Sequence, residues 1–190
     1  MPEPQTEALW AQNDRLLARL VELIGELREE DYCKEHPVIP DQSVGRHLRH
    51  ALEHYQAFVQ GLAEGCIDYS RRDREVLLEQ HPVLARERIN WIRTELGKAL
   101  DNPPQALWMV PDLEASEVGQ DPAVRTDFAR ELAFLSSHAV HHMAQMRLLL
   151  AERGIFLEAS FGVAVATLRD RGEPGGGIRE TEEGSVSCAS

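Results

Sequence analysis

Apolar side chains recur at three- and four-residue steps along four stretches of the chain, and each stretch reads as an amphipathic helix. The first runs from about residue 6 to 28, with Leu9, Leu16, Leu17, Leu20, Leu23, Ile24 and Leu27 on one side. Pro37 and Pro40 interrupt the pattern and predict a loop over residues 31–41. Ser43 then stands where an N-cap belongs, its hydroxyl able to accept from a first-turn N–H. A second helix is predicted from there to about residue 62, with Gly61 and Gly65 marking its fraying end. The charged run Asp68-Tyr69-Ser70-Arg71-Arg72-Asp73-Arg74-Glu75 separates it from a third helix over about residues 82–100. Pro82 sits in the first turn of that helix, where its missing N–H costs nothing. Asp101-Asn102-Pro103-Pro104 stops it. Residues 105–121 form a long connection, in which 107–110 is open to a short strand or to simple packing on the helices. Pro122 opens a fourth helix predicted to reach Arg153, with Gly154 as its C-cap. Residues 161–168 are apolar enough for one or two further turns.

Four helices of about 20 residues, without a run of alternating strands, predict an all-α fold: a four-helix bundle over residues 1–170. The first and third connections exceed the usual few residues, as in bundles with crossover topology. From Arg171 the composition turns to glycine, glutamate and serine, with Gly175-Gly176-Gly177 among them, and 171–190 reads as a flexible tail. Composition narrows the function. The formal charge of -12 sets up a field that repels nucleic acid and anionic lipid. No apolar run approaches the ~18–20 residues of a membrane span, and no basic leader is legible. Three scattered cysteines, Cys33, Cys66 and Cys188, without a CxxC pair, fit a reducing cytoplasm.

The candidate chemistry lies in histidine. Six of the eight fall in two clusters, His47, His50 and His54 on the second helix and His138, His141 and His142 on the fourth. His36 and His81 stand beside prolines and read as ordinary surface residues. His138 and His142 are four apart, so they stack one helical turn above the other, and Gln145 follows on the same face. Two imidazoles so spaced can share one ion at ~2.0–2.1 Å, and a ligand from the second helix would complete a site open on one side. Along the second helix, His47 and His54 lie roughly 75–95° from the apolar direction and His50 roughly 135°. Burial alone therefore favours His54 or His47. There is no HExxH, P-loop, GxGxxG or GxSxG, and no glutamate stands three before a clustered histidine as di-iron bundles require.

Ser43-Val44-Gly45-x-His47-Leu48-x-His50, followed by His138-x-x-x-His142-x-x-Gln145, resembles the pattern of the DinB/YfiT-like superfamily of metalloproteins, over about residues 6–153. Asp68-Tyr69 with the Arg71–Arg74 run, and Phe161-Gly162-Val163-Ala164, resemble one bacterial branch of it. The resemblance implies an up-down-down-up four-helix bundle holding one divalent metal on His50, His138 and His142, with His54 as the reserve ligand. Gln145 then orients His142 or a bound water. Three neutral imidazoles suit zinc, nickel, iron or copper, of which zinc or nickel is expected. The resemblance also implies a metal-dependent thiol transferase or hydrolase acting on a small-molecule electrophile. The alternatives are a non-catalytic metal-binding stress-response module and a plain bundle with incidental histidines. A homodimer is compatible with the superfamily. Glu53 and Glu131 read as solvated helix faces or as general bases, and the Arg71–Arg74 run as a charged loop or an anion contact.

Overall fold

The computed structural model describes residues 3–71, 73–104, 106–110 and 123–172, and the chain is mainly helical. Four long helices dominate: α1 (Pro4–Glu26), α3 (Val44–Glu64), α5 (Pro82–Asp101) and α6 (Phe128–Ala151). Short helices α2 (Glu29–Cys33), α4 (Leu77–Gln80) and α7 (Val165–Asp170) lie between or after them. Helix α1 packs on α5 and α6, and α3 packs on the same two. Each long helix turns its apolar stripe inward, which is what the three- and four-residue spacing dictates. Leu17, Leu20, Leu48, Leu52, Phe58, Ile89, Ile92, Leu132, Leu135 and Met143 are buried in one continuous core.

One polar side chain ties three helices together inside that core. Asn13 is fully buried in α1; its Nδ2 donates to the carbonyls of Leu9 at 2.8 Å and Leu132 at 3.0 Å. Its Oδ1 accepts from the Tyr55 hydroxyl of α3 at 2.6 Å. All three of these hydrogen-bonding positions are used, so burial does not leave a polar group stranded.

Glycines set how closely neighbouring segments approach α3. A Cβ on Gly45 would lie 2.2 Å from the Glu79 carbonyl oxygen, so the backbone of α4 rests directly on the first turn of α3. A Cβ on Gly61 would lie 2.7 Å from the Ile67 Cα. Gly61 is thus a buried contact point, not part of a fraying end. Gly65, with φ at 71°, is the C-cap, its N–H donating to the Gly61 carbonyl. Ser43 caps the other end of α3, its side chain accepting from Arg46 N at 3.1 Å.

A three-stranded sheet, which the hydrophobic pattern did not disclose, fills two connections. Strand β1 (Cys66–Asp68) pairs in parallel with β2 (Leu107–Val110), placing Ile67 opposite Met109. Strand β3 (Val124–Thr126) runs antiparallel to β2, with Trp108 opposite Arg125. Residues 107–110 are therefore a strand, settling the choice that the sequence left open. The sheet also corrects the start of the last long helix. It begins not at Pro122, which lies outside the described residues with most of the 105–121 connection, but at Phe128. Asp127 is its N-cap, its side chain accepting from Arg130 N at 2.8 Å. The predicted loop at 31–41 carries α2 at its start. Beyond Gly172 the stretch read as a tail lies outside the described residues. Among the described residues, no helix is long and apolar enough to cross a membrane.

Candidate metal centre

Helices α3 and α6 lie side by side, and their histidine clusters meet at the seam. His50, His138 and His142 each offer a ring nitrogen within 4.8 Å of the other two. Ligand nitrogens around one tetrahedral ion at ~2.05 Å stand about 3.3 Å apart, so modest ring rotations bring these three into range of a shared ion. His142 is buried, whereas His50 and His138 are half-buried, so the cluster sits at the edge of the core and not within it. The ring centroids of His138 and His142 are 4.6 Å apart, and those of His50 and His142 4.7 Å. These three can hold a metal ion.

The other histidines take distinct places. His54, which with His47 lies nearer the apolar direction of the helix, is the most deeply buried ring of α3, 5% exposed. Its Nδ1 lies 2.9 Å from the His50 carbonyl oxygen, so that nitrogen donates to backbone. The ring packs 3.9 Å from that of His138 and stacks on Tyr69 at 5.7 Å. His47 reaches His142 directly, Nδ1 to Nδ1, at 3.1 Å. His141 is exposed, with its ring edge-on to that of His142. Gln145 lies one turn beyond His142 and is half-buried.

His36 is more than a surface residue. Its Nδ1 accepts from the backbone N–H groups of Val38 and Ile39 at 3.1 and 2.8 Å. Its Nε2 meets Glu152 at 2.8 Å, so this ring fastens the loop before α3 to the end of α6.

Both acidic residues singled out in the sequence are buried, which corrects their reading as solvated faces. Glu131 is fully buried and accepts from the Tyr69 hydroxyl at 2.6 Å, the Thr126 hydroxyl at 2.5 Å and Arg130 at 2.7 Å. Burial, and then the Glu131 carboxylate, push the Tyr69 pKa far up, so the phenol keeps its proton and donates it. Glu53 is 3% exposed and faces Arg49, which also approaches Glu79 at 3.3 Å. The charged run opens with a bend after β1. Asp68 Oδ1 accepts from the backbone N–H of Ser70 at 2.9 Å, which directs Tyr69 back toward α6. Arg71 pairs with Asp68 at the surface, and Arg72 lies outside the described residues. The sheet thus delivers Tyr69 and Thr126 to Glu131, behind His54.

The electrostatics favour neutral imidazole. Burial, then His138, His50, His47 and His141, push the His142 pKa from 6.5 down to about 2. Burial and then His141 push His47 down as well. A neutral ring retains the lone pair that an ion needs. Between about pH 6.5 and 2 the unfolded chain binds a proton at His142 that the folded chain does not. That contribution to stability is fully present above about pH 6.5 and is lost as the pH falls. The urea midpoint of metal-free protein is therefore expected to drop from pH 7.5 to pH 5, and to drop less in His142→Asn. Equal drops in the two proteins would contradict this origin.

No family model matches the chain. Over 107 residues it is 32% identical to FK506-binding protein 5 of Rhizopus delemar, an alignment covering 54% of this chain. The chain spans 27% of the length of that curated relative.

Proposed function

We propose that this chain is a three-histidine metalloprotein on an up-down-down-up four-helix bundle of the DinB/YfiT-like kind. In this reading it is a metal-dependent enzyme, a thiol transferase or hydrolase acting on a small electrophile. The observation that carries the proposal is the meeting of His50, His138 and His142, drawn from two helices 88 positions apart in sequence between His50 and His138, within 4.8 Å of one another. Three uncharged nitrogen donors suit zinc or nickel. A divalent ion held there supplies a Lewis acid that makes a nearby water or thiol easier to deprotonate at neutral pH. The chain's own residues set the surroundings. Half-buried His50 and His138 leave a side accessible from the seam, while Tyr69, Phe134 and His54 form an aromatic wall next to His138. That wall limits water on the inner side and suits an electrophile with an apolar body. Glu131, engaged by three donors, fixes Tyr69 in the wall instead of serving as a general base.

The test is turnover of a low-molecular-weight thiol with a generic alkylating or epoxide electrophile, alongside ester hydrolysis. Activity that a chelator removes and zinc or nickel restores is the expected result. One equivalent of metal per chain with no turnover on either substrate class would leave a binding-only protein and refute the enzymatic reading.

A further inference from the structure

The contact between His47 and His142 joins two ring nitrogens of the same kind. Nδ1 of His47 and Nδ1 of His142 stand 3.1 Å apart. Only one proton fits between them, so one ring donates and the other accepts. The choice has a consequence for His142. If His47 donated, His142 would carry its proton on Nε2, and neither of its nitrogens would offer a lone pair to an ion. If His142 donates, its Nε2 is bare.

We infer that His47 is a positioning residue for the proposed metal centre: its Nδ1 accepts a hydrogen bond from His142 Nδ1–H, fixing the tautomer and the ring angle that present His142 Nε2 to an ion shared with His50 and His138. The inference rests on the three-histidine reading above and adds to it a role for a histidine outside the triad. It accounts for the spacing on α3, where His47 and His50 are three apart and so share a helix face. One contacts the buried ring of His142 by hydrogen bond, and the other lies across from it by ring edge. A partner on the far nitrogen of a metal-bound histidine commonly raises metal affinity 10–100-fold by holding the ring in place. Carboxylates and backbone carbonyls usually supply it; here a second imidazole does.

Two amide substitutions separate the roles of the two His47 nitrogens. The asparagine side-chain oxygen can occupy the place of Nδ1, whereas the longer glutamine places its amide nearer Nε2. Full-length protein, His47→Asn and His47→Gln are compared by chelator competition with zinc and by the visible spectrum of the cobalt(II) form. Melting of the metal-free proteins serves as the control for folding. His47→Gln is expected to bind zinc about 10–100-fold more weakly at unchanged stoichiometry, and His47→Asn within about threefold of the parent. The cobalt bands of His47→Asn should match those of the parent. Equal affinity in His47→Gln and the parent would overturn the inference, as would an asparagine variant as weak as the glutamine one. Either result, with metal bound stoichiometrically by the parent, defeats this role alone. Failure of the parent to bind metal defeats the three-histidine reading itself.

Discussion

His138→Ala is expected to lower the affinity for zinc or nickel by more than about 100-fold, beyond the loss usual for a partner that only supports a ligand. The ring of His138 is 4.6 Å from that of His142 and 5.2 Å from that of His50, so its removal leaves two donors on opposing helices. Two donors neither enclose an ion nor fix its geometry. The helix should survive, because alanine is a strong helix former and His138 is only half-buried. Metal binding to the folded state is expected to raise the melting temperature of the parent, by an amount equivalent to about 2.7 kcal/mol at 100 times the dissociation constant. That rise should vanish in His138→Ala while the metal-free melting temperature moves little. A variant that keeps one equivalent of metal and the same rise would remove His138 from the site.

Gly45→Ala should be strongly destabilising, costing about 3 kcal/mol in urea unfolding. The new methyl would lie 2.2 Å from the Glu79 oxygen, 2.9 Å from its carbonyl carbon and 2.8 Å from Tyr32 Cε1. Two of these are backbone atoms, which cannot swing aside as a side chain can. Moving α4 would also strain the bond in which the Tyr32 hydroxyl donates to the Leu78 carbonyl at 2.5 Å. The same change at Gly97, inside α5, meets nothing within 4 Å. There the gain in helix propensity should stabilise by about 0.5–1 kcal/mol. If Gly45→Ala and Gly97→Ala melted alike, the close approach of α4 to α3 would be wrong.

Gly45 also shows what made part of the site legible. Ser43-Val44-Gly45 belongs to the stretch that carries the family resemblance, and two of its positions have physical duties: a cap and a point of backbone contact. The long helices could be read because their apolar faces repeat with the helical period over many turns. The sheet could not, because strands of three or four residues show no alternation, and β1 and β2 pair across some 40 residues of chain. For that reason the sequence pattern starts the helix at Pro122, whereas a strand and Asp127 precede α6.

The histidines divide on the same lines. The HxxxH spacing on α6 places His138 and His142 together by helix geometry alone. On α3 a wheel ranked by burial points to His54 or His47; His54 is the buried one of the two and His47 is half-buried. Yet the ring brought within reach of His138 and His142 is the half-buried His50. The wheel averages over every neighbour that α3 packs on, α4, α5 and β1 as well as α6, so it does not single out the side that faces α6. Asn13 and Glu131 went unrecognised as core residues for a related reason. Each is a polar residue beside leucines, with partners from distant segments: Tyr55 and Leu132 for Asn13, and Tyr69 for Glu131.

Crystals of the full chain grown with added zinc or nickel, measured on both sides of that element's absorption edge, put the central claim to trial. The account predicts one anomalous peak at the seam of α3 and α6, about 2.0–2.1 Å from a nitrogen of each of His50, His138 and His142. A peak bound elsewhere, or an ordered seam in which those three rings turn to separate surfaces with no peak between them, would contradict it.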